Sequence, residues 1–161
     1  MKNTEPGHEN PQPRLFSLAA LLSLGGLADS IYLTVTHLTG EDVVCLASSG
    51  CSEVLSSAYA SVGPIPLGAF GALGYFVAFS LATLVAFGYP RARTFLTVVV
   101  AGMLLTTLWL LYVQAFILHA FCDFCLLSAA FTVSLSAIAA ASYFIRRRHR
   151  TAGEPAPLLE S

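Results

Sequence analysis

Charge is what this chain has least of. Only 11% of its 161 residues are Asp, Glu, Lys or Arg, while 56% are hydrophobic. A soluble domain carries about a quarter charged residues, so the scarcity excludes water as the main solvent. Lys and Arg are also absent from two of the three stretches that connect the long apolar runs, 38–65 and 119–121. There is no internal repeat and no sustained heptad, which excludes solenoids and coiled coils. The Leu15–Leu38 run is too long for the apolar core of a secretion signal, and no clear small-residue cleavage site follows it. It reads as a retained span.

What is present is four apolar runs, Phe16–Thr36, Leu67–Phe87, Thr94–Leu118 and Cys122–Ile145. Each has about the 20 residues that a helix needs to cross a bilayer. Hydrocarbon cannot satisfy backbone N–H and C=O groups, so runs of this length must be helical. Gly25, Gly26, Gly68, Gly71, Gly74, Ser134 and Ser136 fall inside them, as in transmembrane helices that pack closely. The expected fold is therefore an all-α integral-membrane bundle of four transmembrane helices. The expected boundaries are a disordered cytoplasmic tail over 1–14, a membrane domain over 15–146 and a basic cytoplasmic tail over 147–161.

All eight basic residues (Lys2, Arg14, Arg91, Arg93, Arg146, Arg147, Arg148 and Arg150) lie on one side of that arrangement. The positive-inside rule then places both termini in the cytoplasm and the 38–65 loop outside it, in a plasma or inner membrane. The Arg146–Arg150 cluster directly follows a span. It is read as a topology anchor facing lipid headgroups, with no nucleic-acid partner.

The reactive inventory is four cysteines, all on the face without basic residues. Cys45 and Cys51 are six positions apart in the first loop, and Cys122-Asp-Phe-Cys125 opens the fourth span. Outside the cytoplasm disulfides persist. A Cys45–Cys51 bridge would close a small ring in a Gly- and Ser-rich segment, serving either as an exchangeable pair or as a permanent staple. In the CxxC the two sulfurs share one helical turn, and Cys122 lies where free N–H groups and the helix dipole favour a thiolate. No βαβ pattern surrounds it, which excludes a thioredoxin fold. After Cys51, Ser52–Ala60 carries Val54, Leu55, Ala58 and Tyr59 at helical spacing, predicting a short interfacial helix that Gly63-Pro64 and Pro66 end.

Two titratable groups accompany the sulfurs. Asp29 lies roughly 14 Å inside the first span, where a carboxyl is costly unless protonated or paired. It is read either as a functional proton-transfer group or as a packing residue bonded to Tyr32, Tyr112 or Gln114. His119, three positions before Cys122, is read as proton-transfer support or as a simple interfacial histidine; His37, at the outer end of the first span, is read the same way.

These residues together resemble the vitamin K epoxide reductase family. The resemblance is carried by Cys45-x5-Cys51, by Ser57 six positions later and by Cys122-Asp-Phe-Cys125 at the fourth helix. It extends to Ser30-Ile-Tyr32-Leu33, Cys51-Ser-Glu-Val54, Tyr59, and Pro66 leading into Phe70-Gly71-Ala-Leu-Gly74-Tyr75. Over about Leu15–Ile145 it matches the bacterial branch without a fused thioredoxin-like domain. The resemblance implies a quinone site within the bundle, with ubiquinone or menaquinone as electron acceptor. It makes Cys122 and Cys125 the active pair with Cys125 nearest the quinone, Cys45 and Cys51 the shuttle pair, and Ser57 a residue that orders the loop. A separate thioredoxin-like oxidase outside the cytoplasm would be the electron donor. Animal members carry a quinone-contacting Asn near the start of the second span, where this chain has Leu67-Gly68-Ala69, which argues against a vitamin K epoxide substrate. Two alternatives stand beside this reading: a soft-metal-ion carrier using the cysteine pairs, and a structural tetraspan protein with one inert disulfide.

Overall fold

The computed structural model describes residues 11–40 and 50–152, with side chains over 14–40 and 50–145. The first helix, α1, is Pro11–Thr39. A short helix, α2, covers Cys51–Ser56. Strands β1 (Ser61–Val62) and β2 (Ile65–Pro66) form a minimal antiparallel hairpin. Helices α3 (Leu67–Ala86), α4 (Pro90–Tyr112) and α5 (Asp123–Ala152) follow. A π-helical segment, Val113–Leu118, continues α4 toward α5.

Among the described residues four stretches are long and apolar enough to cross a membrane: Arg14–Thr39, Leu67–Ala86, Pro90–Leu118 and Asp123–Ile145. The protein is an integral-membrane four-helix bundle. The third span starts earlier than its apolar run because Pro90 occupies the first helical turn, where its missing N–H is no loss. The α1 and α3 turns end at Gly40 and Gly88, both at positive φ, the usual helix stop.

Helix α1 packs most extensively on α3, and the ring closes through α3–α4, α4–α5 and α1–α5 contacts. Close approach of α1 and α3 depends on small residues. A Cβ at Gly26 would collide with the Tyr75 ring, and one at Gly68 would lie 2.8 Å from Thr34 Oγ1. In the core of Phe16, Ala19, Tyr75, Ala78, Ala82, Leu96 and Leu135, α3 contributes Ala78 and Ala82 beside Tyr75, which lets its neighbours approach closely. Tyr75 also joins α3 to α5. Its hydroxyl donates to the Ser128 carbonyl at 2.7 Å and lies 3.0 Å from Ser128 Oγ and 2.8 Å from Thr132 Oγ1. At the end of the bundle remote from the CxxC, the Arg93 guanidinium sits 4.9 Å over the Phe16 ring. Large side chains such as Leu21, Leu73, Leu105 and Phe116 remain exposed around the outside, as expected of a surface whose solvent is lipid.

The loop helix is shorter than the predicted Ser52–Ala60. It begins at Cys51 and stops at Ser57, whose backbone is extended (φ −68°, ψ 156°). Ala58 and Tyr59 are exposed rather than packed along a helix face. The chain turns there because Ser57 O accepts from Ala60 N–H (3.0 Å) and Ala60 O accepts from Leu67 N–H (2.8 Å). That pairing ties the loop directly to the start of α3.

Candidate functional site

The site lies where α2, the π-helical segment and the start of α5 meet. Past Tyr112 the chain gives up α-helical hydrogen bonding. Instead the wider π turn lets Gln114 O accept the N–H of His119 and, at 3.2 Å, that of Ala120. His119 takes a left-handed conformation (φ 52°) and the chain reverses within 119–122. The Gln114 side chain secures the far end of the same turn, its Oε1 accepting Cys122 N–H at 3.2 Å. Cys122 O then accepts Leu126 N–H at 3.0 Å, the first bond of α5.

Cys122 is completely buried, Cys125 is partly exposed, and both are free thiols. The Cys125 thiol donates to the Cys122 sulfur and is the main reason that the Cys122 thiol falls from its ordinary value of 9.0 to about 7. Backbone N–H groups of Cys125 and Phe124 act in the same direction, against burial and the Asp29 charge. Cys122 therefore holds the helix N-terminal position that the CxxC pattern predicts.

Helix α2 lies directly against this turn. Gly50 leaves no room for a side chain: a Cβ there would lie 2.8 Å from Phe121 O and 2.9 Å from Phe121 N. Cys51 and Val54 form one buried cluster with Ala120 and Cys122, flanked by Leu55, Leu118, Phe124 and Cys125. The Cys51 sulfur is disulfide-bonded; Cys45 lies outside the described residues. Ser57 fastens the end of α2, its Oγ donating to Val54 O at 2.7 Å.

Beneath this cluster a cavity of about 270 Å³ runs into the bundle. Cys125, Gln114, Val54 and Ser57 line it at the cysteine end, with Phe70 and Met103 deeper. His37 also borders it, which gives that histidine a place at the site. Cys51 and Cys122 are not among its lining residues. One sulfur of the CxxC thus faces the cavity while the other faces α2.

Asp29 is buried on α1, and neither carboxylate oxygen has a hydrogen-bond partner among the described residues. The packing partners expected for it are engaged elsewhere. Tyr32 rests on the half-buried Phe124 (centroids 5.0 Å) and Tyr112 on Phe116 and Trp109, with both tyrosines exposed on the outside of the bundle. Gln114 is committed to the CxxC turn. His119 is exposed and shapes the turn through its backbone.

Three contributors escaped the sequence reading: Gln114 at the CxxC, Gly50 at the α2 contact, and the Tyr75 cluster. Gln114 carried a signal, since it is the one amide side chain in its apolar run and lies eight positions before Cys122. Neither the π turn nor the Gly50 contact has a local signature. A family model described as the vitamin K epoxide reductase family matches residues 17–140, most of the chain. The chain belongs to that family and is a membrane thiol–disulfide oxidoreductase.

Proposed function

We propose that this member of the vitamin K epoxide reductase family carries electrons from a thioredoxin-like protein outside the cytoplasm, through two cysteine pairs, to a quinone in the membrane. Its role is to sustain disulfide formation on that side. The observation that carries this reading is the placement of Cys51 and Cys122 in one buried cluster, with Cys125 on the wall of the cavity.

The partner's dithiol reduces the Cys45–Cys51 disulfide and leaves oxidised. A loop thiolate then attacks Cys122 Sγ; the Cys122–Cys125 bond breaks and Cys125 departs as a thiolate. The second loop thiol displaces Cys122, restoring the loop disulfide and leaving Cys122 and Cys125 reduced. Those two thiols lose two electrons and two protons to the quinone and re-form their disulfide. The apolar cavity is close to the lower end of the 300–1,000 Å³ typical of small-molecule sites. It suits the ring of a quinone, with the tail lying among lipid-facing side chains. Cys125 presents its sulfur to that ring, and the surrounding helices exclude water. Ser57 holds α2 at the wall. Asp29, buried near the pair, is assigned to proton handling, and His119 offers exchange with water beside Cys122. Cysteines on the extracytoplasmic side accord with Arg91 and Arg93 in the first turn of α4, at the opposite end of the bundle.

Cys125→Ala should abolish quinone-dependent oxidation of a dithiol protein in purified membranes while leaving the chain folded. Unchanged turnover would refute the assignment. Cys125→Ser, without quinone, should accumulate a mixed disulfide between a loop cysteine and Cys122 that reductant dissolves on a gel, and Cys122→Ser should not.

A further inference from the structure

Gln114 is buried, with 3% of its surface accessible, at the one place where α4 departs from α-helical geometry. Such π turns recur at functional sites. Its backbone carbonyl closes the turn that leads to the CxxC, and its side chain reaches both sulfur-bearing residues. Oε1 accepts Cys122 N–H at 3.2 Å, and the side chain also hydrogen-bonds Cys125. The first bond settles which way the amide points. With its oxygen committed to an N–H, the group left for Cys125 is Nε2–H2, a donor only. Gln114 borders the cavity beside Cys125, so this donor sits at the sulfur that faces the cavity.

We propose that Gln114 is a catalytic residue of the thiol exchange, its Nε2–H donating to Cys125 Sγ and holding the thiolate released when the Cys122–Cys125 bond breaks. When a loop thiolate attacks Cys122 Sγ, a loop S–S bond to Cys122 forms, the Cys122–Cys125 bond breaks, and the bonding pair leaves on Cys125. A hydrogen bond to an anion is about twice as strong as one between neutral groups, so the contact gains strength as charge arrives on Cys125. Oε1 simultaneously keeps the attacked residue at its place before α5. The role rests on the proposed path for the attack of a loop thiolate on Cys122, and it is independent of the identity of the final acceptor.

The test uses the full chain in detergent with Cys45, Cys51 and Cys122 replaced by serine, so that Cys125 is the sole thiol. The Ser at 122 keeps the backbone N–H that Oε1 accepts. Alkylation of Cys125 by iodoacetamide is followed against pH with Gln114, Gln114→Glu or Gln114→Met. Glu retains the acceptor for residue 122 but, once ionised, places an anion where the donor was; Met removes both bonds. Both variants should alkylate about tenfold more slowly near neutral pH, the effect of about one unit in thiol titration, and their pH profiles should move upward. Rates within twofold of the Gln114 chain would overturn the proposal. So would a slow Met variant beside an unaffected Glu variant, which would reduce Gln114 to a cap for α5. If the Met variant does not fold, the Glu variant decides alone. The tenfold loss seen in a protein whose wild type cannot use quinone would keep the Gln114 role and overturn the quinone reading.

Discussion

Gly50→Ala is the sharpest perturbation of the proposed electron path, because it adds one methyl group and nothing else. Gly50 has φ −93° and ψ 4°, a conformation open to alanine, so backbone strain contributes little. The obstacle is space. The new Cβ would lie 2.8 Å from Phe121 O, 2.9 Å from Phe121 N and 3.0 Å from the Ala120 Cβ. Ordinary contact begins near 3.5 Å, so α2 and the 120–122 turn must part by roughly 0.6 Å. The neighbours are mostly backbone, held by Gln114 through Ala120 N–H and Cys122 N–H, and cannot swing aside as a side chain would. Overpacking of this kind costs about 1–3 kcal/mol. The functional effect should be larger than the stability effect. Exchange needs the loop sulfur in line with Cys122, and a misplacement near 1 Å can cost about a hundredfold. We expect Gly50→Ala to slow dithiol-driven reduction of the CxxC by about tenfold. Rapid-quench alkylation measures this step, and reduction of the loop by a small dithiol should remain normal. Gly102→Ala, where nothing lies within 4 Å, is the control. CxxC reduction at the wild-type rate in Gly50→Ala would refute the packing of α2 against Cys122 as the transfer geometry.

The lowered Cys122 thiol, at about 7, fixes a pH dependence. Thiolate is the nucleophile, so alkylation of the reduced Cys122 should rise through pH 7, flatten above pH 8 and fall about tenfold per unit below pH 6. Because the Cys125 thiol is the main cause, Cys125→Ala should move the midpoint, read by thiolate ultraviolet absorbance, back toward 9; an unmoved midpoint would contradict this. Tyr75→Phe removes the hydroxyl shared with Ser128 and Thr132 and should cost about 1–2 kcal/mol in detergent unfolding; unaltered stability would show that the cluster does not brace α3 on α5. Asp29→Asn removes a titratable group without removing a hydrogen bond. The melting temperature should hold or rise while quinone turnover falls at least about tenfold, and normal turnover would end the proton-handling assignment.

The spans and the CxxC position were legible because they rest on run length, hydropathy and residue type, all local quantities. Pro90 and Gly88 mark the α3–α4 turn as plainly in the chain as in the fold. The loop helix was legible only in part. Val54 and Leu55 do pack inward, but Ala58 and Tyr59 fall beyond the turn at Ser57, and so short a periodicity cannot show where a helix stops. Azimuth was not legible at all. Nothing local tells that Tyr32 and Tyr112 point toward lipid, away from Asp29, or that Gln114 serves Cys122 instead. Those outcomes depend on how each helix is rotated against its neighbours, and for Gln114 on a π turn with no composition of its own.

The two sulfurs of the CxxC share a helical turn yet meet different surroundings, and on the proposed path that division would couple a protein thiol to a lipid-dissolved oxidant without direct reaction between them. Cys122 belongs to the cluster with Cys51, while Cys125 borders the cavity. Between them stands α2, whose Val54 and Leu55 belong to both surroundings. A ring bound in the cavity would meet these apolar side chains before it met Cys51. On the proposed path the loop pair would thereby be kept from the quinone, and electrons would pass through Cys122 and Cys125. The same arrangement links partner and acceptor mechanically. If α2 withdraws to expose Cys51 to a partner, the cavity loses part of its wall, and a ring seated there loses contacts. Quinone binding and loop release should then oppose one another, each weakening the other by the same factor.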